Sequence, residues 1–433
     1  MGRLAEPVDR GSLAVLRVGL GLVILAGVVR AFAYGWVERL YVAPRYHFRF
    51  WGFEWVPVPE GDAMRALFVA LGMLALLYAL GWGYRVVSWL LFLTFTWVEL
   101  LDVAYYLNHY YLVSLVLLLT ALMPLGARGP REVPRWNLWA LRAQFGLVYF
   151  FAGVAKLNPD WLQDALPLSL WLPVHREVPV VGPWLAQPAT AYLFSWAGAL
   201  FDLAAPFLLS WRRTRAPYFV VVVGFHVVTW ALFNIGVFPW VMILGATLFF
   251  PPAWPRLAAR RSGAPEAMPR PLSPVVPVFL ALYFTVQVIL PLRHLALPGD
   301  VRWGEAGFRF AWHVMLVEKA GLVRYQLHGV ESGRRWEVAP SEYLTPLQEK
   351  AFATQPDMVV ALAHHIAADK ARVLGERVEV RAEAWVSLFG ARRALLLDPS
   401  ADLSRVSHGP MGVPVVLPRP FAGERAVTVG HAP

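Results

Sequence analysis

Cysteine is missing from all 433 residues, so the chain has no disulfide, no thiolate metal site and no cysteine nucleophile, and its compartment leaves no redox mark. Charge is scarce as well, with Asp, Glu, Lys and Arg at 16% against 58% apolar residues. At a mean hydropathy of +0.50 this is too little charge to coat a soluble protein of such length, and the composition reads as a polytopic membrane protein. Acidic residues number 29 against 39 basic ones, for a net charge of +10. The arginines lie between apolar runs rather than on one basic face, which argues against a nucleic-acid partner and makes them determinants of orientation in a lipid bilayer. Also missing are a glycine-rich phosphate loop, a Gly-x-Ser-x-Gly elbow, a dinucleotide fingerprint and any His-x-x-x-His or His-Glu-x-x-His spacing. His364 and His365 are neighbours on a predicted helix and point apart, so no metal site is expected.

What the chain has in abundance is long apolar runs. About nine have spanning length or close to it: Ser12 to Phe32, Ala63 to Trp82, Val86 to Tyr106, Tyr110 to Leu125, Trp139 to Leu157, Tyr192 to Trp211, Tyr218 to Phe233, Val237 to Phe250 and Val275 to Leu292. The seventh and eighth are short and joined by Asn234-Ile-Gly236, as expected of helices half-buried in a bundle. Between the first two runs, the stretch Tyr41 to Trp55 around His47 is aromatic, arginine-bearing and broken by proline, which suits an interfacial loop. A proline- and tryptophan-rich connection to Pro188 leaves no room for a further span. Beyond Arg293 the runs stop. Arg324 to His328 and Arg377 to Val386 alternate like strands with one buried face, and Pro356-Asp357 opens a helix reaching Lys370. The expected fold is therefore a polytopic α-helical membrane protein with about nine transmembrane helices and a small α+β extramembrane C-terminal domain. The expected division is residues 1–293 for the membrane domain, 294–408 for the extramembrane domain and 409–433 for a disordered tail.

The short loops carry an orientation signal. With the N-terminus inside, the inner segments hold Arg3, Arg10, Arg85, Arg128, Arg131, Arg135, Arg212, Arg213, Arg215, Arg256, Arg260, Arg261 and Arg270, while the outer ones hold Arg39, Arg45, Arg49, Lys156 and Arg176. This bias predicts a cytoplasmic N-terminus in an inner or plasma membrane and an extracytoplasmic C-terminal domain, and it puts His109 and Lys156 at one membrane face.

Polar groups at membrane depth form a short set: Glu99, Asp102, His109, Gln144, Lys156, Asp160, Asp202 and His226. Taken singly, each can simply hydrogen-bond to a neighbouring helix. Lys156 closes a long apolar run at Tyr149-Phe-Phe-Ala-Gly-Val-Ala-Lys156-Leu-Asn158-Pro159-Asp160-Trp161. Lysine costs roughly 3 kcal/mol at mid-bilayer, so a lone one at a span end is either a snorkelling anchor or a partly desolvated amine able to act as a base. Its placement on one face with His109 favours the base.

Four stretches carry a resemblance: Asn108-His109-Tyr-Tyr-Leu112, the lysine segment just quoted, Phe225-His226 with Phe233-Asn-Ile-Gly-Val-Phe-Pro239, and Gly304-Glu-Ala-Gly-Phe308-Arg-Phe-Ala-Trp312. In order and spacing the chain resembles the vitamin K-dependent gamma-carboxylases and their bacterial relatives, the horizontally transferred transmembrane domain proteins. That resemblance implies lysine-initiated oxygenation of a vitamin K hydroquinone, of the menaquinol or phylloquinol type, to its epoxide. It also implies that O2 and CO2 are co-substrates and that a glutamate-containing protein or peptide loses its gamma proton and is carboxylated. Lys156 falls on the base position and His109 on that of an important histidine, with His226, Trp161, Phe151, Asn108 and Tyr149 toward the quinone. The chain departs from the animal enzymes in its shorter extramembrane region, in Ala155 where they place a second lysine, and at Trp312-His313.

Two other readings compete: a quinone epoxidase that carboxylates no protein, and a non-catalytic lipid-binding or transport protein. A transporter would be expected to carry an inverted internal repeat, and none is visible. The orientation is directly testable: a reporter fused after Pro433 should be periplasmic and one after Arg213 cytoplasmic. Both reporters on one side would overturn the shared face of His109 and Lys156.

Overall fold

The computed structural model describes residues 2–233, 235–258 and 273–420. Arg260, Arg261 and Arg270 of the orientation argument, Asn234 of the joint, and residues 421–433 of the expected tail lie outside the described residues.

Six helices are long and apolar enough to cross a membrane: α1 (Gly11–Ala33), α2 (Gly61–Leu80), α5 (Arg135–Ala155), α6 (Pro188–Ser210), α7 (Arg215–Leu232) and α9 (Val275–Leu292, extended by a 3-10 turn to Ala296). The other three expected runs correspond to shorter helices: α3 (Tyr84–Glu99), α4 (Asn108–Ala121) and α8 (Phe238–Ala246). The third run was expected to reach Tyr106, but its helix stops at Glu99. Asp102 turns the chain there, because its carboxylate caps the backbone nitrogen of Ala104 and meets His47 Nδ1 at 3.2 Å and Gln348 Nε2 at 2.8 Å. Asp102 thus ties the bundle to the C-terminal part of the chain.

Small residues set the helix contacts, as close packing in lipid requires. Gly21 of α1 lies against Ala75 and Ala79 of α2, and Gly153 of α5 lies against Leu203 of α6. Gly81 ends α2 in the left-handed region (φ 72°), with buried Arg17 packed where a side chain would begin. Arg17 Nη1 donates to Tyr78 O (2.7 Å), so this membrane-depth cation uses a helix-end carbonyl.

At one end of the bundle strand β1 (Pro7–Asp9) pairs with β2 (Glu132–Pro134), Asp9 meets Arg256 at 3.1 Å and Arg10 donates to Gly126 O. Helix α5 begins there and runs its 21 residues, about 30 Å, to Lys156 at the other end.

The C-terminal part follows its alternating pattern. Strands β3 (Lys319–Gly329), β4 (Arg335–Val338), β5 (Val378–Leu388) and β6 (Ala394–Leu395) form an antiparallel sheet in the order β4-β3-β5-β6. Every second residue of β5 is buried, and helix α11 (Pro356–Leu374) contributes Val359, Leu362, Ala363 and Ile366 to the same core. The shorter helix α10 (Pro346–Phe352) is capped by Thr345 and supplies Gln348. Phe48 and Phe50 are also buried in this core, so the stretch around His47 packs against the sheet domain instead of lying free at the interface, while Trp51, Phe53 and Trp55 at its tip are exposed. Residues 409–420, expected in a tail, are bound to the fold: Val416 pairs with Leu397, and Arg419 meets Asp160 and Asp300 at 2.9 and 3.0 Å.

A strap from Gly304 to Leu316 joins the two cores. Phe310, Trp312 and Met315 sit in the left-handed region at φ 61°, 59° and 56°, a conformation worth roughly 1–3 kcal/mol of strain for each such residue. It is held by Tyr106, whose hydroxyl accepts from Phe310 N, by Asn108, which donates to His313 O, and by Trp312, buried in the helical core against Tyr111. Arg309 of the strap donates to Asp357 at the start of α11. Burial alone would push the Asp357 carboxyl up, yet the Arg309 charge and hydrogen bonds outweigh it and hold it below the usual carboxylate range. A depressed carboxylate contributes stability in full at neutral pH and loses it as pH falls through its folded value. Asp357→Asn should therefore melt below wild type at pH 7, with the gap closing below about pH 4. A gap that is constant with pH would remove the ion pair from the stability of the strap.

Candidate functional site

Helix α5 ends at Lys156 because the chain then turns: Asn158 accepts from Trp161 N through its side chain, and Pro159 occupies the first position of the short helix Pro159–Leu162. That turn brings the Trp161 indole under the lysine, with Nζ 5.2 Å from the ring centroid, and locks it by a 2.8 Å bond from Nε1 to Ser195 O on α6. Two ion pairs secure the far side of the turn, where Asp160 meets Arg302 at 2.7 Å and Arg419 at 2.9 Å.

Lys156 does not snorkel. Its side chain is 7% exposed, and Nζ donates to Asp202 Oδ2 on α6 (2.8 Å) and to Ala152 O (3.1 Å). Asp202 is equally buried, at 8%. The pair forms part of the wall of a partly open cavity bordered by α5, α6, α7, α8 and the strap, about 710 Å³ with its open mouth included. Its lining is otherwise apolar, with Val148, Phe194, Phe225, Phe233 and Met242 on the helices and Val314 and Met315 from above. A second polar point is built from Tyr149 and His226: the hydroxyl lies 2.9 Å from Nε2, and His226 Nδ1 is buried without a partner among the described residues.

The sequence-derived residues divide into two groups. Lys156, Tyr149, Trp161 and His226 line the cavity. His109, Asn108 and Phe151 do not. His109, at the start of α4, lies behind Phe238, with ring centroids 6.0 Å apart, and Phe238 forms the lining. Asn108 holds the strap through His313 O. Phe151 is turned off the Tyr149–Ala152–Lys156 face by the helical period and is buried in the helical core. His47 and Asp102 bond each other away from the cavity. Sequence reasoning missed the pairing of Asp202 and the roof residues Val314 and Met315. A signal for the first was present: a lone aspartate in one apolar run needs a partner, and the lone lysine ending another run supplies it. The roof had none, because its residues approach only through the fold of the strap.

Residues 5–254 of the chain match the HTTM domain, and residues 272–418 match the vitamin K-dependent gamma-carboxylase, lumenal domain. The first match ends at Trp254, at the end of the bundle where β1 pairs with β2, and the second covers α9, the strap and the sheet. No solved structure matches the chain.

The geometry of the pair depends on the α5–α6 contact three residues before Lys156. A Cβ at Gly153 would come within 2.8 Å of the backbone nitrogen of Leu203, next to Asp202, whereas one at Gly146 would meet Pro206 at an ordinary 3.4 Å. Gly153→Ala should therefore lose about 1–3 kcal/mol by overpacking, seen as a lowered thermal midpoint in detergent, while Gly146→Ala stays near wild type. Equal midpoints for the two variants would show that α5 and α6 are not in contact at Gly153.

Proposed function

Because the chain belongs to the vitamin K-dependent gamma-carboxylase family, we propose that it is a membrane hydroquinone oxygenase of that kind, in which Lys156 is the base. The observation that carries this reading is the apolar cavity with a lysine in its wall. Apolar walls with a few polar points suit a lipid-soluble ring bearing two oxygens. The residues fit such a ring at two places: the Lys156 amine, and the Tyr149–His226 pair, where the unpartnered Nδ1 is a polar atom in need of a ligand. When bound, reduced vitamin K supplies through its reaction with oxygen the strong base that takes a glutamyl gamma proton, and CO2 then occupies the place of that proton.

The chain's own residues do the rest. Lys156 takes the starting proton, Trp161 flanks the amine, and the phenylalanines with Met315 keep water from a site where it would quench a strong base. Asn108 positions the strap that forms the roof, while His109 and Phe151 act from behind the lining, His109 through Phe238. The nine-span reading needs α3, α4 and α8 to cross beside the six longer helices. The Asp9–Arg256 and Arg10 contacts at the end opposite Lys156 support a cytoplasmic N-terminus and an extracytoplasmic sheet domain. We place the membrane domain at 1–293 and the extramembrane domain at 294–408 together with the bound residues 409–420, with a glutamate-containing protein or peptide meeting the site from the extramembrane side.

Purified protein given reduced vitamin K and oxygen should form the epoxide, and labelled CO2 should enter a glutamyl peptide to a smaller extent. Lys156→Ala and Lys156→Arg should both abolish epoxide formation while remaining folded, because a guanidinium does not release its proton. Turnover retained in Lys156→Arg would remove the lysine from the chemistry, and absence of epoxide from folded wild type would turn the reading toward lipid binding or transport.

A further inference from the structure

We propose that Asp202 is the positioning residue of the reaction, and that the working base is the Lys156–Asp202 pair rather than the lysine alone. The inference rests on the proposed function of Lys156 and adds a role for a carboxylate on a different helix.

The valences of the amine set its geometry. At rest the pair is an ammonium and a carboxylate; once a proton has left Nζ for solvent, the amine has two N–H bonds, one bond to Cε and one lone pair. Two acceptors are fixed around Nζ, Asp202 Oδ2 at 2.8 Å and the Ala152 carbonyl at 3.1 Å. With both N–H bonds directed at these, the lone pair takes the remaining tetrahedral direction. Ala152, Asp202 and Lys156 all line the cavity, which places the amine and its lone pair at the cavity wall. Removing either acceptor frees the side chain to rotate. The Ala152 carbonyl belongs to the last turn of α5 and cannot be removed, whereas Asp202 is a side chain and is the adjustable part of the device.

Its second contribution is charge. When Lys156 takes the proton, the O–H bond of the substrate breaks, its electron pair stays on oxygen, and a third N–H forms on Nζ. An ammonium ion now stands in an apolar wall. An isolated cation there is costly by several kcal/mol, and a carboxylate already in hydrogen-bond contact offsets most of that without reorganisation. Among the described residues Lys156 is the side chain that donates to Asp202, so the carboxylate has no competing cation. Both helices are fixed at this level, α5 by Gly153 against Leu203 and α6 by the Trp161–Ser195 bond. The contact is therefore a preset geometry.

The test compares Asp202→Asn, Asp202→Glu and Lys156→Ala in the full-length protein, in lipid nanodiscs. Hydroquinone oxidation is measured beside affinity for the oxidised quinone, read by quenching of tryptophan fluorescence. Asp202→Asn keeps an acceptor oxygen and loses the charge. It is expected to lower kcat about 100-fold or more with KM and quinone affinity within about threefold of wild type, the pattern of an interaction made in the transition state. Asp202→Glu should recover at least about tenfold of the loss. Thermal midpoints supply an arm that does not depend on turnover: Lys156→Ala leaves a buried carboxylate unpaired and should destabilise, and adding Asp202→Asn to it should restore stability. Additive midpoints would overturn the pair itself. Coupled midpoints with wild-type kcat in Asp202→Asn would overturn the positioning role and leave Lys156 as sole base. Wild type without turnover would overturn the reading on which the inference stands.

Discussion

One contact organises this molecule: the bond from Lys156 on α5 to Asp202 on α6, buried on both sides. In water two such groups barely attract, but in an apolar wall neither charge is tolerable alone and the pair becomes an obligation of the fold. That obligation explains the neighbouring features. Gly153 lets the two helices close to contact, Asn158-Pro159 ends α5 at the lysine, and Trp161 lies under the amine while bonding to α6. The Arg302 and Arg419 pairs with Asp160 then fix the turn from the far side. A lysine in hydrocarbon is thus held by a chain of dependent choices reaching from Ala152 to Arg419.

Much of the architecture was legible in the sequence because hydropathy is a long-range average that survives local error. The run from Ser12 to Phe32 became Gly11–Ala33, and that from Val275 to Leu292 kept its bounds. The alternation from Arg377 to Val386 became β5, and the proline at 356 opened α11. The reading misjudged the end of the third run, because hydropathy is blind to what Asp102 bonds. Its partners His47 and Gln348 lie 55 and 246 residues away.

The site was legible in kind and blurred in detail. Adjacency along the chain stood in for adjacency in space, which works for Tyr149 and Lys156, seven residues apart and on one helical face, and fails for Phe151 between them. Asn108 and His109 open α4 beside the cavity without entering its wall; their contacts run to His313 and Phe238. No periodicity announces that Val314 and Met315 return from the sheet side to cover a cavity built by earlier helices.

That return has a consequence for how the protein is made. Met315 follows Asp202 by 113 residues. At roughly 5–20 residues per second, synthesis leaves about 6–23 s between the completion of the lysine–aspartate wall and the arrival of its roof. The helices must therefore be inserted, and the charged pair already formed, while the chamber still stands open, and only export of the sheet domain seals it. Water exclusion is the last property the chain acquires, so the chamber comes into being only once biogenesis is finished.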